Sequence, residues 1–255
     1  MSVDEIIEAA KNGDADAALA IAQIMIEGEK PDYDGALPWF EMAAKNGSVQ
    51  AALFVGAIRK GKMKYAKANS QWENLIAQVN PIADHCECVI DSKVASKEQI
   101  DLASEIFDEV CYLYAFALYM SGDLNGAMHR LRRVKTVHTP IMHILMGCLM
   151  FDLSLKEKAI TYDVLNDILN LFSALERNPK ELLSATEDYA DNLILSKAFG
   201  YMSIILKSSP YNNLERAYNI LKIGFDLLPE GVCRNAIREE MQHYRQKLFG
   251  GMQYI

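Results

Sequence analysis

The chain has 255 residues, 51% of them apolar and 24% charged, with a formal net charge of −8. This is the composition of a folded globular protein and excludes global disorder, while the negative balance argues against general affinity for nucleic acid or anionic membrane surfaces. The opening Met1-Ser2-Val3-Asp4-Glu5 lacks the basic region and apolar block of a secretory signal, and no apolar run approaches the roughly 18 residues that cross a bilayer. Cys86, Cys88, Cys111, Cys148 and Cys233 form an odd set at irregular spacing, several within apolar runs. They read as reduced thiols, which makes the cytoplasm the expected location.

In chain order, the first signal is a repeat. Ala9-Ala10-Lys11-Asn12-Gly13 returns letter for letter as Ala43-Ala44-Lys45-Asn46-Gly47, and Ala17-Ala18-Leu19 returns in the same register as Ala51-Ala52-Leu53. A period of about 34 residues in an Ala-rich stretch marks a helix-pair solenoid. Residues 15–27 predict a helix stopped by Gly28. Asp32-Tyr33-Asp34 caps a helix running to Lys45, with Pro38 in its first turn or so. Ser48 caps a helix to Lys60 that Gly61 closes, and residues 65–79 form the next, ended by Asn80-Pro81. Residues 82–96 show no clear period and read as an irregular joint. Ser96-Lys97-Glu98 opens one long helix over 97–119, with Glu98, Asp101, Glu105, Asp108 and Glu109 on its polar face and Leu102, Ile106 and Val110 facing inward. Residues 232–248 suit a terminal capping helix. The expected organisation is therefore 1–81 repeats, 82–96 joint, 97–230 repeats, and 231–255 capping helix and tail, all in one continuous solenoid.

Two motif sets carry a family resemblance. Asp32-Tyr33-x-x-Ala36-x-x-Trp39-Phe40-x-x-Ala43-Ala44-x-x-Gly47, followed by Ala51-x-x-x-Val55-Gly56, resembles the Sel-one-like repeat, with a shorter connection at 28–32 than that family uses. Gly122-Asp123-x-x-x-Ala127-x-x-x-Leu131-x-x-Val134 with Pro140 resembles the tetratricopeptide (TPR) repeat. Gly147 and Ala159, twelve residues apart, and Ala217-x-x-x-Leu221-x-x-Gly224-x-x-x-x-Pro229 are similar to it too, and Ala68-x-x-x-Trp72 with Pro81 matches more weakly. The resemblance implies an all-α, right-handed α-solenoid of about six to seven antiparallel helix pairs. It places Ala36, Ala43, Gly56, Ala127, Gly147, Ala159 and Ala217 at tight helix contacts. It also implies a non-catalytic protein–protein interaction module: an adaptor, scaffold or regulator. The regularly spaced disulfides of secreted Sel-one-like relatives are missing.

Few residues suggest chemistry. His85-Cys86-x-Cys88 offers metal-ligand types, but a closed zinc site wants a second pair that the sequence lacks, so no metal or other cofactor is expected. The basic runs Arg59 to Lys67 and His129 to His138 suit either an acidic partner or phosphate, or simply solvated helix faces. The sequence contains no nucleophile elbow, phosphate-cradling loop, dinucleotide fingerprint or paired-histidine metalloprotease helix, and the expectation is that the protein is not an enzyme.

The candidate partner site is an apolar concave groove. Tyr112, Phe116 and Tyr119, then Ile144, Cys148 and Phe151, then Met202 and Leu206, fall on the groove side of the first helices of TPR-like pairs. Either the protein's own helices fill this groove, or it takes a protein or peptide segment, or a second copy of the chain. A peptide-sensing regulator of the TPR receptor type is the alternative function, and an enzyme on a solenoid frame a third. The apolar tail Met252 to Ile255 is expected to pack near Tyr112, Phe116 and Phe151.

Overall fold

A computed structural model describes residues 2–134, 139–184 and 188–249. The described residues form fifteen α-helices and no strand, so the protein is all-α. No helix among them is long and apolar enough to cross a membrane. The chain divides into two compact units, one of Met1–Ser121 with Arg130–Val137, the other of Gly122–His129 with His138–Ile255. Helix α8 (Leu124–Leu131) is shared between them. The apolar tail, residues 252–255, lies outside the described residues.

The first unit contains α1 (Val3–Lys11), α2 (Ala15–Ile26), α3 (Tyr33–Lys45), α4 (Val49–Ala68), α5 (Trp72–Ala77), α6 (Val79–Ile90) and α7 (Lys97–Met120). Side-chain caps set most of its helix starts. Asp14 accepts from the amides of Asp16 and Ala17, Asp32 from Gly35, and Ser48 from Ala51. Ser96 and Gln99 bond reciprocally in a capping box at the start of α7. The repeated pentapeptide is a repeated turn. Asn12 and Asn46 are the C-caps of α1 and α3, and Gly13 and Gly47 follow them at φ 98° and 97°. Gly13 N donates to Ala10 O, and Gly47 N to Ala44 O, both at 3.0 Å. Asp14 N to Ala9 O is matched by Ser48 N to Ala43 O, again both at 3.0 Å. Glycine is needed there because the left-handed backbone disfavours a Cβ.

These two turns return α2 onto α1 and α4 onto α3, and α2 packs on α3 as well. Small residues make the close packing possible: Ala10, Ala18, Ala22, Ala36, Ala43 and Ala51 have no exposed surface. Phe40 fills the space that remains and stacks on Phe54 at 4.7 Å.

The structure corrects several expected boundaries. Gly61 does not end α4, which continues to Ala68. Met63 and Ala66 extend its buried stripe, and one exposed helical glycine costs only about 1 kcal/mol. The break falls instead at Asn69-Ser70, where Ser70 takes φ 56° and Asn69 Nδ2 donates to Tyr65 O. Ala68 is consequently exposed at a helix end. Pro38 lies in the second turn of α3 and not the first. Asn80-Pro81 does not stop a helix but stands in the first turn of α6, where a missing N–H is tolerated. Most of the expected irregular joint is therefore helical. Val79, Ile82, Cys86 and Val89, at helical spacing, are all buried. On α7, Ile106 and Val110 face inward, but Leu102 is 45% exposed and Asp108 is buried. The helix packs against α4, α5 and α6, which widens and rotates its covered face beyond a single stripe.

The second unit contains α9 (Pro140–Glu157), α10 (Tyr162–Leu171), α11 (Ser173–Arg177), α12 (Pro179–Ser184), α13 (Tyr189–Lys207), α14 (Leu214–Leu227) and α15 (Val232–Phe249). Helix α9 packs on α10 and α13, α13 on α14, and α15 on both α13 and α14. Glycines let large rings approach backbone here. A Cβ on Gly147 would stand 2.4 Å from Phe172, and one on Gly224 2.7 Å from Phe199. Ala127 and Ala217 are fully buried as expected, whereas Ala159 is exposed in the connection after α9, which ends at left-handed Lys158. Helix α15 is held by buried Tyr244, whose hydroxyl lies 3.5 Å from Ser203 Oγ, and by the Lys207–Glu240 pair at 3.2 Å.

Candidate functional site

The first unit carries a cleft of about 490 Å³. Helix α6 contributes Glu87 and Ile90, with Asp91 at its C-cap, and α7 contributes Ser104, Phe107 and Asp108. Arg132 and Arg133, just past α8, close it. The Arg133 guanidinium lies 5.0 Å from the Phe107 ring centroid and donates to Glu87 Oε1 at 2.8 Å. Ser104 Oγ donates to Ile100 O, back along its own helix. Arg132 is exposed at the rim. Phe107 and Ile90 thus form an apolar floor, with charges of both signs around it. Such an arrangement can hold one apolar side chain of a bound segment and pair with polar groups on either side of it.

The structure resolves the two basic runs differently. In the first, Arg59 bonds Glu41 and donates to Gln78, Lys62 pairs with Asp34 at 2.6 Å, and Lys60 and Lys64 both reach Glu109 at 3.0 and 2.6 Å. Lys67 is buried with its ammonium 5.1 Å from the Phe116 centroid. The run is engaged within its own unit, and it takes up one member of the acidic face of α7. In the second, Arg130 lies over Tyr114 at 4.9 Å, while Arg132 and Arg133 belong to the cleft. Lys135 and His138 lie outside the described residues.

Burial raises the pKa of the Glu109 carboxyl, but hydrogen bonds and charge from Lys64 and Lys60 outweigh it and hold the pKa below the ordinary 4.5. Its contribution is therefore full above that value and lost as pH falls through the folded pKa. Glu109→Gln is expected to cost about 0.5–1 kcal/mol near neutral pH. The gap should close in acid, as read by urea unfolding along a pH series. A deficit that persists unchanged in acid would show that the ion pairs are not its source.

All eight expected groove residues are buried. Tyr112, the most open, is 8% exposed, while Phe116, Ile144, Cys148 and Leu206 have no exposed surface. Tyr119, Phe151 and Met202 lie between those limits. Phe116 meets Tyr112 edge-on at 6.2 Å and Trp72 at 5.8 Å. Phe151 packs on Tyr201 at 4.5 Å, and Cys148 Sγ lies 3.9 Å from Ile194 O. These positions form core. The outward line of α9 instead runs through His143, Met146, Met150 and Leu153, which are half-buried or exposed at helical spacing.

Helix α6 sets His85 and Cys88, three residues apart, on one pocket wall and turns Cys86 away from them. Cys86 is buried beside Gly56, Cys88 is exposed, and burial lowers the pKa of His85. Among the described residues no three metal-ligating side chains group together. Burial pushes the Cys86 thiol up to about 12 and Cys111 up to about 11. Thiolate is the reactive form, so brief alkylation of the native protein at pH 8 should label Cys88 first, as read by peptide mass mapping. Equal labelling of Cys86 would contradict the burial described.

Nothing in the sequence announced the cleft, because the ion pair that closes it joins residues 46 positions apart. The separate signals were legible: a basic run, and Cys86 and Val89 spaced to bury one side of α6 and leave Glu87 on the other. Comparison with protein families, curated proteins and solved structures finds no match to this chain.

Proposed function

We propose that the protein is a non-catalytic protein-interaction module, an adaptor, scaffold or regulator. In this reading its helices continue the 34-residue repeat as a TPR/Sel-one-like solenoid, and a segment of a partner protein docks in the cleft between α6 and α7. The observation that carries the reading is that cleft, with its Phe107 and Ile90 floor inside a rim of Glu87, Asp91, Arg132 and Arg133. Mixed charge around an apolar floor selects a segment with an apolar anchor flanked by charged residues. The matched turns at Gly13 and Gly47 support the repeat. The same reading keeps the chain in the cytoplasm, where the buried thiols stay reduced.

Site-specific photocrosslinking tests this. Benzoylphenylalanine placed at Asp91 or Arg132, both exposed, is expected to trap one partner segment in cells, whereas the same probe at exposed Asp16 on α2 should not. Identical adducts from all three positions, or none from the cleft, would count against it.

A further inference from the structure

The outer face of the second unit carries a different feature. Phe225 of α14 is half-buried, and two guanidiniums of α15 lie against its ring, Arg234 at 4.4 Å and Arg238 at 5.2 Å from the centroid. The two arginines are one helical turn apart, a spacing at which like charges repel. Their local neutralisation is slight. The Glu230 carboxylate reaches Arg234 only at 3.9 Å, on a side chain 91% exposed, and Arg238 donates to the neutral Asn235 amide at 3.1 Å. Arg234 Nε is buried without a hydrogen-bond partner among the described residues, while its side chain as a whole is 24% exposed. The covered Nε leaves the outer edge of the guanidinium as the part that meets solvent.

We propose that Arg234 and Arg238, held on Phe225, form a binding site for a phosphate monoester. A guanidinium presents parallel N–H donors that match two oxygens of an oxyanion. Two guanidiniums ordered by one ring match a dianion with three terminal oxygens better than a carboxylate with two. Stacking on the ring fixes both arginines before the ligand arrives, which reduces the ordering cost of binding. The phosphate comes either from a phosphorylated side chain of another protein or from a small phosphorylated molecule. The site is separate from the α6–α7 cleft and does not depend on it.

The test is an NMR titration of the full chain at constant ionic strength, following the arginine Nε–Hε signals. The probes are a capped Gly-phosphoserine-Gly tripeptide, glycerol phosphate, and a capped Gly-Glu-Gly tripeptide. Saturable shifts of the Arg234 and Arg238 signals with a phosphate probe are expected, with at least tenfold weaker binding in Arg238→Gln. Arg238→Lys, which keeps the charge but loses the fork, should also bind more weakly, and circular dichroism of each variant checks its fold. Tighter binding of the phosphotripeptide than of glycerol phosphate assigns the source to a phosphorylated protein, and the reverse order assigns it to a small molecule. Linear shifts that are equal for the glutamate peptide, or unchanged affinity in both variants, would overturn the site.

Discussion

Replacing Gly147 with alanine is expected to destabilise the second unit by about 1–3 kcal/mol. The added Cβ would stand 2.4 Å from Phe172 Cε1 and 2.9 Å from its Cδ1. Phe172 is fully buried, so its ring cannot swing into solvent, and relief requires that α9 move away from the chain beyond α10. A companion Phe172→Leu substitution should make the Gly147→Ala change cheaper, since a smaller side chain leaves room for the methyl group. Gly61 supplies the contrast. It is helical and exposed with nothing within 4 Å of its added Cβ, so Gly61→Ala should raise stability by roughly 1 kcal/mol. Urea unfolding followed by circular dichroism measures both. A Gly147→Ala protein as stable as Gly61→Ala would show that α9 does not approach Phe172 as described.

Phe116→Ala is expected to cost still more, about 3–5 kcal/mol. The ring is fully buried between Tyr112 and Trp72 and lies beneath the Lys67 ammonium. Truncation leaves a cavity and removes the nearer of the two rings against the buried cation. Phe116→Leu retains most of the volume and should cost distinctly less, so the difference between the variants isolates what the ring adds. If Phe116 instead formed a surface for partners, alanine would leave the melting temperature nearly unchanged and weaken binding alone.

Local features of the fold were legible in the sequence because they depend on residues three or four apart. Asp32, Ser48 and Ser96 cap the helices they were expected to cap, since each needs only an amide three positions on. The recurrence of Asn-Gly at 34 residues translated directly into matching turns. What failed depended on partners far along the chain. Cys86 and Cys88 drew notice as metal-ligand types, and this obscured the plainer helical spacing of Val79, Ile82, Cys86 and Val89. The inward face of α7 was drawn for one neighbouring helix when α4, α5 and α6 all pack on it, which put Leu102 and Asp108 on the wrong sides. The apolar residues of α7, α9 and α13 were correctly seen as needing cover, but the open face of α9 falls on Met146, Met150 and Leu153, between the positions expected. The cleft itself rests on Glu87 and Arg133, a pairing that only the folded chain creates.

Binding of a partner segment in the α6–α7 cleft can be measured as an affinity. A peptide matching the segment trapped from Asp91 or Arg132 can be titrated against the full chain by fluorescence anisotropy. Arg132→Glu reverses a charge on the rim without touching the floor. It should weaken binding at least tenfold, which corresponds to about 1.4 kcal/mol, with an unchanged melting temperature. Unchanged affinity in that variant, with the peptide still bound, would place the partner segment outside the α6–α7 cleft.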